Sequence, residues 1–294
     1  MADIVRRYAC DRGAVKISYL EWAIGNPANL TPLLLLHGLA DSATVWSSLG
    51  ADLSSKYHVV APDLRGHGES SKPNSGYSST EIIADLETLM THLGWKQAHV
   101  LGHSWGGKVA AIWATENPER FNSLILVDPF YIGKLPSWLK ITFPFLYRVL
   151  PFLQGMGPFA NKTAAEETAQ SLKQYRLWTP LQQQVFRASI EPKTDGTWGS
   201  KFTISARDRI FTDVMQRSGL TKSLTIPSMF IQPSKGINRT EWQLKPYRRC
   251  LPNLEIKQLA GNHWVFLVDP ELFNREVAEF LDRQTKETIA TLTD

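Results

Sequence analysis

Residues 99–111 read HVLGHSWGGKVAA, and this stretch decides the fold. An apolar run ends at Gly102, and the periodicity beyond Ser104 is helical. Gly102-His103-Ser104-Trp105-Gly106 therefore has the form G-x-S-x-G, set between an expected strand and an expected helix. A turn that tight forces strained dihedrals on its tip residue, so the residues two away on either side must be small. It lifts the serine hydroxyl above the sheet. The first N–H groups of the following helix, which lack acceptors in their own helix, then face any negative charge developing there. A serine that merely caps the helix would fit the letters too. A hydroxyl is a weak nucleophile at neutral pH, so the catalytic reading requires a base from elsewhere in the chain.

The flanking sequence extends the pattern in both directions. Alternating runs near residues 3–8 and 14–23 suggest an antiparallel pair at a sheet edge, and PLLLLHG (32–38) and YHVVAPD (57–63) look like strands buried on both faces. A helix-like stretch lies near 43–54. Apolar residues at 82, 83, 86, 89, 90 and 93 give a helix capped by Ser79 or Thr80 and stopped by Gly94. FNSLILVDP (121–129), LTIPSMFIQP (224–233) and LEIKQL (254–259) continue the strands, with a last helix from Pro270 to about Arg283. Strands alternating with helices at this spacing predict an α/β fold built on a mostly parallel, doubly wound sheet. The rhythm breaks between 130 and 220, which holds helix-like patches such as 163–175 and no clear buried strand. We expect 1–129 and 221–294 to form the core and 130–220 a helical cap over the strand C-terminal ends, where open α/β sheets bind ligands.

Composition narrows the function classes. Basic residues number 32 against 28 acidic, a surplus of four over 294 positions, which with no recognition motif argues against a nucleic-acid partner. Cys10 and Cys250 are too few for a disulfide framework and too isolated for a zinc site, and fit a reducing, cytoplasmic setting. The charged start MADIVRRYACDRG has no signal-peptide core. The greasiest stretch, 138–157, is interrupted by Lys140, Pro144, Arg148 and Pro151, so no membrane span is expected. No metal or cofactor motif occurs.

With the elbow stand LLLLHGLADSATVW (33–46), APDLRGHGESSKP (61–73) and LAGNHWVFLVDPELFNREVAEFL (259–281). In this order and spacing they resemble the α/β-hydrolase superfamily over nearly the whole chain. The resemblance implies an oxyanion hole from the backbone N–H groups of Leu39 and Trp105, and a structural role for the Asp63–Ser70 loop with Asp63 and Arg65 as braces. His263 lies in a loop between the last strand and the last helix, free to reach Ser104, and the family's base occupies this position. The remaining six histidines lack that placement. The family commonly takes its acid from the loop after the penultimate strand, yet no aspartate stands near Gly236. Asp128, at the end of the strand after the nucleophile helix, is the favoured substitute, as in some relatives; Glu241 is the alternative, although it looks like a helix start. Asp269 looks like a helix cap.

These residues point to a serine carboxylic-ester hydrolase acting on a small or medium apolar ester. Trp138, Phe143, Phe145, Leu146, Leu150, Phe152 and Leu153 are candidates to line its pocket or to hold the cap together. A carbon–carbon hydrolase, a proline iminopeptidase, a cofactor-free perhydrolase and a non-catalytic small-molecule binder stay open. A nucleophilic serine in place of a carboxylate argues against the halide and epoxide branches.

Overall fold

The computed structural model describes residues 5–134, 136 and 156–293, with side chains to residue 285. Eight strands form one sheet in the order β1-β2-β4-β3-β5-β6-β9-β10. They are β1 (Val5–Arg12), β2 (Val15–Trp22), β3 (Thr31–Leu36), β4 (Tyr57–Pro62), β5 (Ala98–His103), β6 (Phe121–Val127), β9 (Ser228–Lys235) and β10 (Leu254–Asn262). β1 and β2 pair antiparallel, as does β2 with β4; every other pairing is parallel. Parallel central strands are covered on both faces, which explains why β3 to β6 read as unbroken apolar runs.

Alternation along each strand divides these residues between two cores. Leu34, Leu36, Val100, Leu124, Leu126 and Phe230 pack on one face with α2 (Ser79–His92) and α3 (Ser104–Glu116). Leu33, Leu35, Leu101, Ile125, Met229 and Ile231 pack on the other. There they meet α1 (Ser47–Leu53) and a C-terminal helix, Pro270–Thr293. Leu33 to Leu36 are wholly buried, each contributing about 1.5–3 kcal/mol.

Three local expectations are corrected or refined. Ser78, not Ser79 or Thr80, caps α2: its hydroxyl accepts the Glu81 N–H, while Ser79 is engaged through its N–H and hydroxyl by Asp213. A two-stranded ribbon of partly buried strands, β7 (Ile190–Pro192) with β8 (Trp198–Ser200), lies in the segment whose sequence shows no clear buried strand. Strands of three residues are too short to show a period. The last helix runs ten residues beyond Arg283, because Gln, Lys, Glu, Ala and Leu favour a helix after the apolar pattern stops.

Between β6 and β9, the described part of 130–220 contains α4 (Lys162–Ser171), α5 (Pro180–Ser189), the ribbon, and α6 (Ile204–Gln216). Lys108, fully buried on α3, ties this segment down by donating to the carbonyls of Gly133, at 2.8 Å, and Val214. Burial lowers its ammonium to a pKa of about 7. The aromatic run from Trp138 to Leu153 lies outside the described residues.

Candidate active site

Ser104 is the first residue of α3 and sits at φ 52°, the left-handed region that L-residues rarely adopt. Its neighbours show why glycine is required. A Cβ at Gly102 would lie 2.6 Å from the Gly106 carbonyl oxygen, and one at Gly106 would lie 2.4 Å from that of His37. The second contact draws the start of α3 against the end of β3. Leu39 and Trp105 thereby line the same cavity as Ser104, with no side chain capping the helix. The Trp105 N–H belongs to the first turn, where intrahelical acceptors are lacking.

Two buried histidines hold the Leu39 turn. His37 Nδ1–H donates to the Gly38 carbonyl (2.8 Å) and Nε2 accepts the Leu64 N–H (2.9 Å); His67 Nδ1–H donates to the Arg65 carbonyl and Nε2 accepts the Ala40 N–H. Burial lowers both imidazole pKa values, so they serve as neutral struts. The braces lie below them. Asp63 accepts N–H bonds from Ala43 and Glu69, and Arg65 forms a two-pronged pair with Asp85.

His263 follows β10 and lines the cavity beside Ser104. Its Nδ1 lies 2.6 Å from Asp128 Oδ2. That bond directs Nε2 away from the carboxylate. Asp128 immediately follows β6, has φ 39° and is wholly buried. Its Oδ2 also accepts the Ile237 N–H (2.8 Å), and its Oδ1 accepts the Asn238 N–H and Nδ2–H (3.0 Å each). Burial would raise this carboxyl's pKa, but the His263 bond and the two N–H donors outweigh it and hold the pKa below the usual range. Glu241 begins α7 (Glu241–Cys250), is exposed, and pairs with Arg248. Asp269 accepts the Leu272 N–H at the start of the last helix.

The gap near Gly236 now has a physical reason. A Cβ there would stand 2.3 Å from Asp128 Oδ2, so the carboxylate from β6 fills the space a side chain at 236 would take. Asn238 carries no charge, so its residue type does not mark it in the sequence as a partner of the triad. It holds both Asp128 Oδ1 and the Pro129 carbonyl (2.7 Å), and only its place two residues after that glycine hinted at it. His103 is buried against His263, with ring centroids 4.4 Å apart, and its Nε2–H donates to the His263 carbonyl. Burial, then the neighbouring imidazole, lowers its pKa to about 4, so it is neutral at pH 7.

The cavity that unites these groups has a volume of about 620 Å³. The core contributes Ser104 and His263 to its wall, and α6 contributes Ile210, Phe211, Val214 and Met215. Among the described residues no cluster of His, Cys, Asp or Glu is arranged to hold a metal ion, and no helix is long and apolar enough to cross a membrane.

A sequence profile described as alpha/beta hydrolase fold matches residues 31–270. The chain belongs to this family. Over 97 residues it is 39% identical to a soluble epoxide hydrolase of Corynebacterium sp. (strain C12), a match covering 33% of this chain and 34% of the relative. A serine hydrolase-like protein of Danio rerio is 26% identical over 298 residues, spanning 96% of this chain and 91% of its own. The solved structure of a marine microorganism esterase superposes with a TM-score of 0.72 at 21% identity, covering 90% and 98% of the two chains. The relatives thus differ in chemistry while sharing the alpha/beta hydrolase fold, and the reaction must be argued from the site.

Proposed function

We propose that this alpha/beta hydrolase is a serine carboxylic-ester hydrolase with Ser104 as nucleophile, His263 as base and Asp128 as the acid that orients it. One observation carries the reading: a serine at a strained strand-to-helix elbow shares a cavity with a histidine whose Nδ1 is bonded to a buried carboxylate. In this scheme Ser104 Oγ bonds to the ester carbonyl carbon as its proton passes to His263 Nε2. The Leu39 and Trp105 N–H groups stabilise the oxyanion. The tetrahedral species collapses, His263 returns the proton to the departing alcohol, and an acyl-serine remains. Water then attacks, again giving its proton to His263, and release of the carboxylic acid restores Ser104. The described part of 130–220 supports its reading as a cap, since α6 contributes Ile210, Phe211, Val214 and Met215 to the cavity wall.

The test is hydrolysis of p-nitrophenyl esters from acetate to palmitate by the intact protein and Ser104→Ala. Turnover that falls at least ~10³-fold in the variant is expected. No hydrolysis of any ester above background would refute the reading.

A further inference from the structure

The cavity's charge is lopsided. Lys173, Arg176, Lys235 and Arg239 line it and are exposed, and none has a side-chain partner among the described residues. Among the described residues the lone carboxylate in the lining, Asp41, is buried and accepts from Trp264 Nε1. Elsewhere on the surface some long cations meet acids, as in Lys56–Asp282, Arg187–Glu166, Lys201–Glu69 and Arg283–Glu255, while others, such as Lys96, Lys222 and Arg249, stand apart from one another; what distinguishes the four is that they line one cavity. Four unpaired cations from two separate parts of the chain converge on one mouth.

Their placing is also one-sided. Lys235 is the register partner of Asn262 across β9 and β10, and Asn262 precedes His263. The Asn262 side chain donates to the Lys173 carbonyl at 2.9 Å. Arg239 follows Asn238, which holds Asp128. Three of the cations are thus anchored beside the histidine, and Arg176 lies one helical turn's length along the chain from Lys173. Apolar residues line both sides, with Leu172, Ile237 and Trp264 among the cations and the histidine, but among the described residues no cation lies on the serine side: there the Phe130 N–H donates to the Ser104 carbonyl (2.8 Å), and Phe130 lines the cavity with Ile210, Phe211 and Val214. In a serine hydrolase the base protonates the leaving alcohol, so the alcohol departs on the histidine side.

We infer that the substrate is an ester whose alcohol portion carries an anionic group, a carboxylate or a phosphate, held by Lys173, Arg176, Lys235 and Arg239 while its apolar acyl chain packs along Phe130 and α6. This rests on the ester-hydrolase reading above. Cations around a concave mouth raise the local concentration of an anion and hold it once bound, and ions screen both effects.

The experiment compares kcat/KM for 3-butyryloxybenzoate, its methyl ester and 3-butyryloxyphenyl phosphate, each divided by its rate of hydroxide hydrolysis. One acyl group is common to all, and charge is the main difference. At low ionic strength either anion should exceed the neutral ester by at least ~10-fold, and 1 M NaCl should cut that ratio below ~3-fold. The better anion names the headgroup. Arg176→Gln and Lys235→Gln should each lower the ratio roughly threefold, and together roughly tenfold. Hydrolysis of the neutral ester without any anion preference would overturn this inference and leave the hydrolase reading standing, as would a preference that neither salt nor the two variants reduce. If no ester is turned over, the hydrolase reading itself fails. Calorimetric titration of Ser104→Ala with 3-hydroxybenzoate and its methyl ester then decides the anion site alone: tighter binding of the charged member keeps it, and equal or absent binding overturns it.

Discussion

Replacing Gly236 by alanine should damage the site without replacing any residue that takes part in the proposed chemistry. Ordinary contact begins near 3.4 Å, whereas the new methyl would lie 2.3 Å from Asp128 Oδ2 and 2.8 Å from its Cγ. The carboxylate must retreat by about 1 Å, enough to turn a 2.6 Å bond to His263 into a contact that no longer counts as one. Asp128 accepts four such bonds, and bonds to a charged group contribute about 1.5–3 kcal/mol each. Losing two, against a gain of about 0.4–1 kcal/mol from the stiffer unfolded chain, leaves a net loss of roughly 2–5 kcal/mol. A 1 Å misplacement can cost ~10²-fold in rate, and in the serine-protease triad loss of the acid's charge costs ~10⁴-fold, so kcat should fall by 10² to 10⁴. The assays are p-nitrophenyl butyrate turnover and urea unfolding. A Gly236→Ala protein within threefold of the parent in kcat, and at least as stable, would refute the reasoning. Combining Gly236→Asp with Asp128→Gly sends a carboxylate into the same space from the opposite loop, and should recover at least ~10-fold over Asp128→Gly alone.

Three further outcomes are expected. Asn238→Ala removes a donor from Asp128 Oδ1 and leaves the buried Pro129 carbonyl without it, so urea unfolding should show a loss of about 1–3 kcal/mol and kcat should drop roughly 5- to 30-fold. Burial holds His99 and His103 at pKa values of about 4, so below pH 6.5 the unfolded chain takes up protons that the folded chain refuses. Stability should therefore fall as pH drops from 6.5 towards 4, by about 2 kcal/mol per histidine at pH 5, and His99→Gln should flatten that slope in urea titrations. Lys108 runs the other way: between its folded pKa of about 7 and the ordinary 10.5 the unfolded chain holds the extra proton, so stability rises with pH. Relative to Lys108→Met, the parent should gain about 2–3 kcal/mol between pH 7 and 9; a constant difference would contradict this.

What could be read from the chain alone follows the range of the signals. Strands β3 to β6 announce themselves because burial on both faces leaves a continuous apolar run, and the elbow does so because its strain falls on residues two positions apart. The doubly wound, mostly parallel sheet was legible for those reasons. Asp128 could be weighed but not preferred decisively, since an Asp-Pro pair opening an insertion looks the same whether or not it reaches a histidine 135 residues away. Asn238, the space shared by Gly236 and Asp128, and His103 against His263 arise only when separate loops meet. The mouth cations were hidden by averaging: Lys173 and Arg176 are brought beside Lys235 and Arg239 by the fold, and a net charge has no positions. The short ribbon at Ile190–Ser200 escaped because three residues cannot display a period.

The descent of Asp128 from β6 has a consequence for how the enzyme comes into being. Strand β5, helix α3 and strand β6 form one contiguous βαβ unit, so residues 98–128 carry both the proposed nucleophile and the proposed acid at the ends of hydrogen-bonded neighbouring strands. Their contacts span short stretches of chain, the kind that assemble quickly. His263 must instead be carried in by β10, which docks on β9 at the far edge of the sheet. On the proposed mechanism, a growing or partly folded chain in which β10 has not yet paired would hold a serine with no proton acceptor and be inert toward esters. Docking of the final strand is thus the event that arms the molecule.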